Sequence, residues 1–367
     1  MLLETIPFKI YTGGVIVFEA KFGNNPQTLN FILDTGSSGI SLDSATCVEL
    51  NIPLRPTDTT IVGIAGSHKV SYAFNQKFTT GKLVTEKINF YVNDYSILTS
   101  VYGEKIDGIV GYSFLSKYIF DINFDSSHIK IYKPGKFEYP NGGTFIHPVF
   151  NKLLVQQVIL KDKEKVAANV YLDSGAGLSL LLTDEYIKDN NIIFPRRKPV
   201  ITQVQGLGGK KKMRLTVIKR LKLGPFTFRN VPTNLYNDEE NVTSYPYTAG
   251  LLGNDILRRF NITYNYPARE IYLKPNNSFD EGFDYSYTGL SLYNYNNKVI
   301  ADDIIANSPA EKAGIKNGDI IIGVSNNFSG DVQAYEKLLQ KAKENIKIVI
   351  NRNEKILLIS LWPISIK

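Results

Sequence analysis

An internal repeat is the feature that most constrains the fold of this 367-residue chain. The segment VIVFEAKFGNNPQTLNFILDTGSSG, which begins at Val15, aligns without a gap with LLVQQVILKDKEKVAANVYLDSGAG, which begins at Leu154. Each copy has the pattern of an alternating strand, a polar turn and a second apolar strand that ends at an aspartate. That aspartate is Asp34 in the first copy and Asp173 in the second, and each is followed by Thr or Ser and then Gly.

Two further matches follow in the same order along the chain. GIAG at residues 63–66 matches GLGG at 206–209, and DGIVGYSFLSKYIF from Asp107 matches AGLLGNDILRRFNI from Ala249. Three matches in one order at nearly constant separation indicate two homologous lobes, residues 1–138 and 139–278, built from short strands. One helical turn per lobe is expected after the second glycine, near residues 114–118 and 256–260.

Composition supports a mainly β protein and argues against two classes of partner. The chain is 43% hydrophobic and 12% aromatic, and its apolar runs are short, too short for a membrane-spanning helix. The net charge of +7 comes from dispersed Lys and Arg residues, so a nucleic-acid groove is not expected. Cys47 is the single cysteine, which excludes an intramolecular disulfide, and the three histidines have no metal-ligand spacing.

The two matched aspartates have a chemistry that neither would have alone. Two carboxyl groups held about 3 Å apart cannot both ionise and therefore share one proton. The ionised member can take a proton from water while the protonated member donates to a substrate carbonyl, which permits peptide hydrolysis without a metal. The Thr35 and Ser174 hydroxyls can bond across to the opposite loop, and Gly36 and Gly175 permit a tight turn.

These loops, with the two Gly-rich hairpins, resemble the aspartic proteases of the pepsin and retropepsin type. The similarity covers residues 1 to about 278 and implies a retropepsin dimer fused into one chain, with Asp34 and Asp173 as the catalytic dyad. It implies that Ile109-Val110-Gly111 and Leu251-Leu252-Gly253 lie behind the catalytic loops. One departure is that Ala176-Gly177 replaces the Ser37-Ser38 of the first loop. The hairpins would be flaps that close over substrate, formed by Gly63, Ile64, Ala65 and Gly66 in one lobe and by Gly206, Leu207, Gly208 and Gly209 in the other.

The sequence pattern changes after the second lobe. SPAEKAG supplies a complete helix start and stop, with Ser308 as N-cap and Gly314 beyond the end, and a second helix is predicted over DVQAYEKLLQKAKE. Residues 284–367 resemble a PDZ domain of the bacterial protease-associated kind. The resemblance implies that a loop and strand bind the C-terminus of a peptide by carboxylate capture and strand pairing. The matching residues here are Tyr287, Thr288, Gly289, Leu290, Ser291 and Leu292.

We therefore expect a mainly β protein with two retropepsin-like β-barrel lobes and a small α+β PDZ domain. The favoured function is an aspartic endopeptidase that needs no cofactor, acts on polypeptide substrate, has a monomeric protease unit and uses the PDZ domain to recruit substrate or a partner. Two alternatives remain: a catalytically silent adaptor that binds peptides, and an enzyme held inactive by its flaps or PDZ domain until a partner binds. Glu4 and Lys9 occupy the place of a signal peptide's apolar core, so a periplasmic or surface location is expected only if a signal has been removed.

Overall fold

The computed structural model describes residues 1–64, 66–206, 208–243, 247–340 and 344–367. Its first lobe contains ten strands and three short helices. The strands are β1 (Leu2–Ile10), β2 (Ile16–Phe22), β3 (Leu29–Leu33), β4 (Ile40–Asp43), β5 (Arg55–Gly63), β6 (Gly66–Thr80), β7 (Leu83–Asn93), β8 (Gly108–Val110), β9 (Ile119–Asn123) and β10 (His128–Tyr132). The helices are α1 (Ser44–Glu49), α2 (Ser96–Tyr102) and α3 (Tyr112–Leu115), and a 3₁₀ turn spans Thr12–Gly14.

The second lobe repeats this plan with eleven strands and two helices. The strands are β11 (Thr144–Ile146), β12 (Val149–Asn151), β13 (Leu153–Lys161), β14 (Lys165–Asp173), β15 (Leu180–Thr183), β16 (Val200–Gly206), β17 (Gly209–Leu223), β18 (Phe226–Tyr236), β19 (Gly250–Gly253), β20 (Phe260–Asn265) and β21 (Glu270–Pro275). The helices are α4 (Asp184–Asp189) and α5 (Asn254–Leu257).

Each lobe closes into a six-stranded barrel. The order in the first lobe is β2-β3-β8-β4-β7-β6, and a β2–β6 pairing closes it. The second barrel has the order β13-β14-β19-β15-β18-β17 and is closed by a β13–β17 pairing. The corresponding strands of the two barrels come from the repeated segments, so the two-lobed, mainly β architecture that the repeat predicts is confirmed.

A sheet between the lobes joins the two barrels. Its order is β11-β21-β20-β9-β10-β1, and its central pair, β9 with β20, brings one strand from each lobe together with Ile122 opposite Ile262. Thr263 Oγ1 donates to Asp121 Oδ1 across this pair at 3.0 Å. Buried side chains of both lobes form one continuous hydrophobic core.

The C-terminal unit has its own core around a five-stranded sheet. Its strands are β22 (Ser286–Tyr287), β23 (Ser291–Tyr295), β24 (Lys298–Asp302), β25 (Ile320–Val324), β26 (Ile346–Arg352), β27 (Lys355–Leu361) and β28 (Ile364–Ser365), and its helices are α6 (Pro309–Lys312) and α7 (Val332–Gln340). The sheet runs β23-β24-β25-β26-β27, so β23 is an edge strand. As predicted, Ser308 caps α6 by accepting the Glu311 N–H at 3.3 Å.

The helical predictions for the lobes need correction. The turns after the second glycine begin earlier than predicted, at Tyr112 and Asn254, because the chain turns as soon as it leaves β8 and β19. They are also not the only helices, since α1, α2 and α4 lie elsewhere in the lobes. In the C-terminal unit, α7 is described as far as Gln340, and residues 341–343 of the predicted second helix lie outside the described residues.

Candidate active site

The two predicted catalytic loops occupy equivalent places in the two barrels. Asp34 follows β3, which runs parallel to β8, and its N–H donates to the Val110 carbonyl at 3.0 Å. Asp173 ends β14, which runs parallel to β19 with Asp173 opposite Gly253. The apolar-apolar-Gly elements therefore lie directly against the loops. A Cβ on Gly111 would lie 2.3 Å from the Ser37 carbonyl oxygen, so this contact requires glycine.

Each carboxyl group lies against the glycine of the opposite loop, since a Cβ on Gly175 would lie 2.5 Å from Asp34 Cγ and a Cβ on Gly36 would lie 2.5 Å from Asp173 Cγ. Each loop also holds its own carboxylate with backbone donors. The Gly36 N–H donates to Asp34 Oδ1 at 2.7 Å, and the Gly175 N–H donates to Asp173 Oδ1 at 2.9 Å. The Ala176 N–H adds a second donor to Asp173 Oδ1 at 3.1 Å. Because this support comes from the backbone, the departure from serine at Ala176 leaves it in place.

Electrostatics keep this carboxyl pair from ionising fully. Burial raises the pKa of Asp34 well above its ordinary value, and the neighbouring Asp173 carboxylate raises it further by repulsion. Burial also raises the pKa of Asp173, although the hydrogen bonds it accepts oppose the shift. Asp34 is only 9% exposed, so water screens the repulsion poorly. The pair therefore titrates as one unit and keeps a proton to higher pH than an isolated carboxyl group would.

A reciprocal hydrogen-bond network joins the loops beneath the carboxyl groups. Thr35 Oγ1 donates to the Leu172 carbonyl at 2.8 Å and accepts the Ser174 N–H at 3.0 Å. Ser174 Oγ donates to the Leu33 carbonyl at 2.9 Å and accepts the Thr35 N–H at 3.0 Å. Thr35 and Ser174 are 1% and 2% exposed. Four buried bonds thus fix one loop relative to the other with near-twofold symmetry.

Helix α2 brings a tyrosine near the carboxyl pair that the sequence reasoning missed. Burial raises the pKa of Tyr102, and the fields of Asp34 and Asp173 raise it further, so the phenol lies within electrostatic range of both. Its ring packs against that of Tyr11, with 5.2 Å between the centroids. Gly103, in the left-handed conformation at φ +68°, ends the helix. A lone glycine after apolar residues was the available signal for this element.

The two Gly-rich segments form the tips of long hairpins. Gly63 pairs with Gly66 between β5 and β6, and Gly206 pairs with Gly209 between β16 and β17, with Gly208 in the turn. We call these hairpins flap one and flap two. Ile64 of flap one and Val204 of flap two both pack against one apolar cluster of the second lobe, whose buried members include Leu181 and Leu251. The predicted flap residues Ala65 and Leu207 lie outside the described residues.

The predicted peptide-binding residues of the C-terminal unit lie between β22 and β23. Tyr287 ends β22, Thr288, Gly289 and Leu290 form the loop, and Ser291 and Leu292 begin β23. The Leu290 N–H donates to Thr288 Oγ1 at 3.2 Å. One N–H group of the loop that the resemblance assigns to peptide binding is therefore bonded within the chain.

Two six-stranded barrels related by a near-twofold axis, with a carboxyl pair at their junction, define the bilobal class of aspartic proteases. The family model described as aspartyl protease matches residues 18–114 and 157–256, one match per lobe, and the chain belongs to this family. A model described as PDZ domain matches residues 300–352 within the C-terminal unit. The two family resemblances are thereby confirmed. No protein in a search of curated sequences matches the chain.

Across the described ranges, no group of three or more His, Cys, Asp or Glu side chains could hold a metal ion. No helix in those same ranges combines the length and apolar character needed to span a membrane.

Proposed function

We propose that the chain is an aspartic endopeptidase in which Asp34 and Asp173 together activate a water molecule. The observation that carries this proposal is the close approach of the two carboxyl groups at the junction of the lobes, where each lies against the glycine of the opposite loop. The crossed Thr35 and Ser174 network supports it, because that network fixes the distance between the two loops before substrate binds.

In the proposed reaction, the ionised carboxylate accepts a proton from water and the protonated carboxyl donates one to the oxygen of the scissile carbonyl. Water oxygen bonds to the carbonyl carbon and gives a tetrahedral diol. Proton transfer to the amide nitrogen then breaks the carbon–nitrogen bond and releases an acid and an amine. The roles of acid and base belong to the pair, since strongly coupled groups titrate together.

The substrate in this proposal is an extended polypeptide that lies between the lobes and beneath both flaps. Flap strands offer backbone groups that can pair with such a chain, as in other strand-addition complexes. The protease unit acts as a monomer, because one chain contributes both loops. The proposed domains are the two protease lobes, residues 1–138 and 139–278, and the PDZ domain, residues 284–367. The PDZ domain recruits substrate or a partner through its peptide groove.

Single carboxyl-to-amide substitutions test the proposal. We expect Asp34→Asn and Asp173→Asn each to reduce cleavage of a mixed peptide pool, followed by mass spectrometry, at least about a thousandfold. Asp58→Asn is the matched control, since its side chain is 98% exposed and pairs only with Lys69 at 2.8 Å among described partners. Full activity of Asp173→Asn would refute the proposal.

A peptide with a hydroxyl group in place of the scissile carbonyl separates the enzyme from the adaptor alternative. An enzyme with this dyad binds such a transition-state analogue far more tightly than the parent peptide and loses that preference in Asp34→Asn. An adaptor binds both peptides alike. Calorimetric titration of each peptide against the wild type and Asp34→Asn distinguishes the two outcomes.

A further inference from the structure

The groove between β23 and α7 is partly filled by the first lobe. Gly103, at the end of α2, lies between Asn294 of β23 and Val332 of α7. A Cβ built on Gly103 would lie 2.7 Å from Val332 Cγ1 and 3.6 Å from Asn294 Nδ2. Since a peptide that extends the sheet would run along edge strand β23, the end of α2 lies in its path.

Gln333 of α7 fixes this arrangement through its side-chain amide. Its Nε2 donates to the Val101 carbonyl of α2 at 3.0 Å. Its Oε1 accepts the N–H and the hydroxyl of Thr12 at 2.8 and 2.9 Å. Gln333 is 9% exposed, so water competes poorly for these bonds. One side chain of the PDZ domain thus holds two separate segments of the first lobe.

The same strand β23 holds flap two. Tyr293, which is fully buried, accepts a hydrogen bond from Gln205 Nε2 at 2.7 Å and donates one to Asp303 at 2.6 Å. Lys210 pairs with Asp303, and its ammonium lies 4.5 Å from the centre of the Tyr293 ring. Because Gln205 and Lys210 flank the tip of flap two, this tip is tied to the PDZ sheet.

The part of the groove that α2 leaves open is lined by both the PDZ domain and flap two. A cavity of about 170 Å³ lies at the loop before β23, lined on the PDZ side by residues that include Tyr287, Leu290 and Leu339. Thr202 and Leu215, from the strands of flap two, line its opposite side. The terminal side chain of a peptide in this cavity would therefore contact both the PDZ domain and flap two.

We propose that the PDZ domain inhibits the catalytic cleft through a set of contacts that we call the lock. In the closed lock, α2 and flap two are bound to β23. An extended peptide that takes the place of α2 opens it. This inference rests on the proposed function. Tyr102 lies between Val101, whose carbonyl accepts the Gln333 hydrogen bond, and Gly103, which lies against Val332, so displacing them moves a tyrosine that is within electrostatic range of the dyad. Occupation of the groove in cis also lowers the apparent affinity for a peptide, and the coupling between groove and cleft is reciprocal.

Hydrogen exchange of the full-length chain tests the lock without requiring turnover or a known ligand. In Gln333→Ala we expect the amides of α2 and of β16 and β17 to exchange at least about tenfold faster, equivalent to about 1.4 kcal/mol. The amides of β3 and β14, which are strands of the two barrels, should not change. Lys337→Ala, at an exposed position on the same helix, is the control.

The exchange in flap two decides the test, because the hydrogen bonds of Gln333 go to Thr12 and Val101 and not to the flap. Faster exchange confined to residues 12–14 and 96–103 would overturn the lock. Tyr293→Phe is a second variant, which removes the hydrogen bond from flap two to β23 and asks whether α2 responds. It also keeps the proposal testable if Gln333→Ala fails to fold. It should speed exchange in α2, and unchanged exchange there would also overturn the lock.

Cleavage assays distinguish failure of the lock from failure of the proposed function. If both proposals hold, kcat/KM for a peptide substrate rises about tenfold in Gln333→Ala and in Tyr293→Phe. If wild type and variants all fail to cleave peptides yet show the coupled exchange pattern, the lock stands and the endopeptidase proposal fails. Cleavage that is unchanged or slower in both variants, with Lys337→Ala at the wild-type rate, overturns the lock alone.

Discussion

Replacing Thr35 with valine tests whether the crossed hydroxyl network holds the lobes together. Valine preserves the shape of threonine but removes Oγ1, which leaves the Leu172 carbonyl and the Ser174 N–H without that partner. Thr35 is 1% exposed, so water cannot easily replace the hydroxyl. An unsatisfied buried group costs about 1–3 kcal/mol, and two such groups predict a loss of about 2–6 kcal/mol in the free energy of unfolding.

Thr35→Ser is the matched control, since it keeps the hydroxyl and removes one methyl group, at a cost of about 1 kcal/mol. Urea unfolding followed by tyrosine fluorescence measures both variants, and a lower midpoint with an unchanged slope reports lost stability. We expect Thr35→Val to be the less stable of the two and to lose kcat as the carboxyl groups separate. Equal stability of the two variants would refute the reasoning, because the hydroxyl would then contribute nothing.

Three further predictions concern the glycine beside the carboxyl pair, the ionisation of that pair, and Glu336 of the PDZ domain. Gly175→Ala should reduce cleavage at least about a hundredfold, because the added Cβ would lie 2.5 Å from Asp34 Cγ; Gly282→Ala, which meets nothing within 4 Å, should cleave normally. Cleavage should be slower at about pH 9 than at about pH 5, since full ionisation of the pair removes the proton that the reaction needs, and equal rates would contradict this. Burial raises the pKa of Glu336 from 4.5 to about 7, so its ionisation in this range opposes folding. Glu336→Gln should therefore match the wild type at about pH 4 and exceed it at about pH 8 by up to about 3 kcal/mol in urea unfolding, and equal stability at both pH values would count against this account.

The repeat made the carboxyl pair predictable because each loop is a product of a local pattern. An apolar strand followed by Asp, a hydroxyl residue and Gly sets the loop, and a second copy supplies its partner. The alignment of Asp173 with Asp34 could therefore be found from a single sequence. That both hydroxyls cross to the opposite loop follows from the same symmetry.

Other acidic residues illustrate what a local pattern leaves out. Asp43 caps α1 by accepting the Thr46 N–H at 3.0 Å, a local role that an Asp before a helix favours. It also accepts the Tyr95 N–H at 2.9 Å, and it is 5% exposed. Asp107 is 3% exposed and accepts hydrogen bonds from Asn30 and Thr46, which lie far from it in the sequence. Both roles depend on partners that only the folded chain brings near.

The contacts of the PDZ domain with the lobes were unpredictable for a related reason. Gln205, Lys210 and Gln333 are polar residues of the kind that usually faces solvent, and their partners Tyr293, Asp303 and Val101 lie 88, 93 and 232 residues away. Hydrogen bonds of this kind contribute about 1 kcal/mol each. The backbone bonds that a peptide strand makes with an edge strand have a similar strength, so a modest number of them can replace the polar contacts that hold α2. The polar character of these residues therefore explains both why a peptide can displace the contact and why the sequence did not predict it.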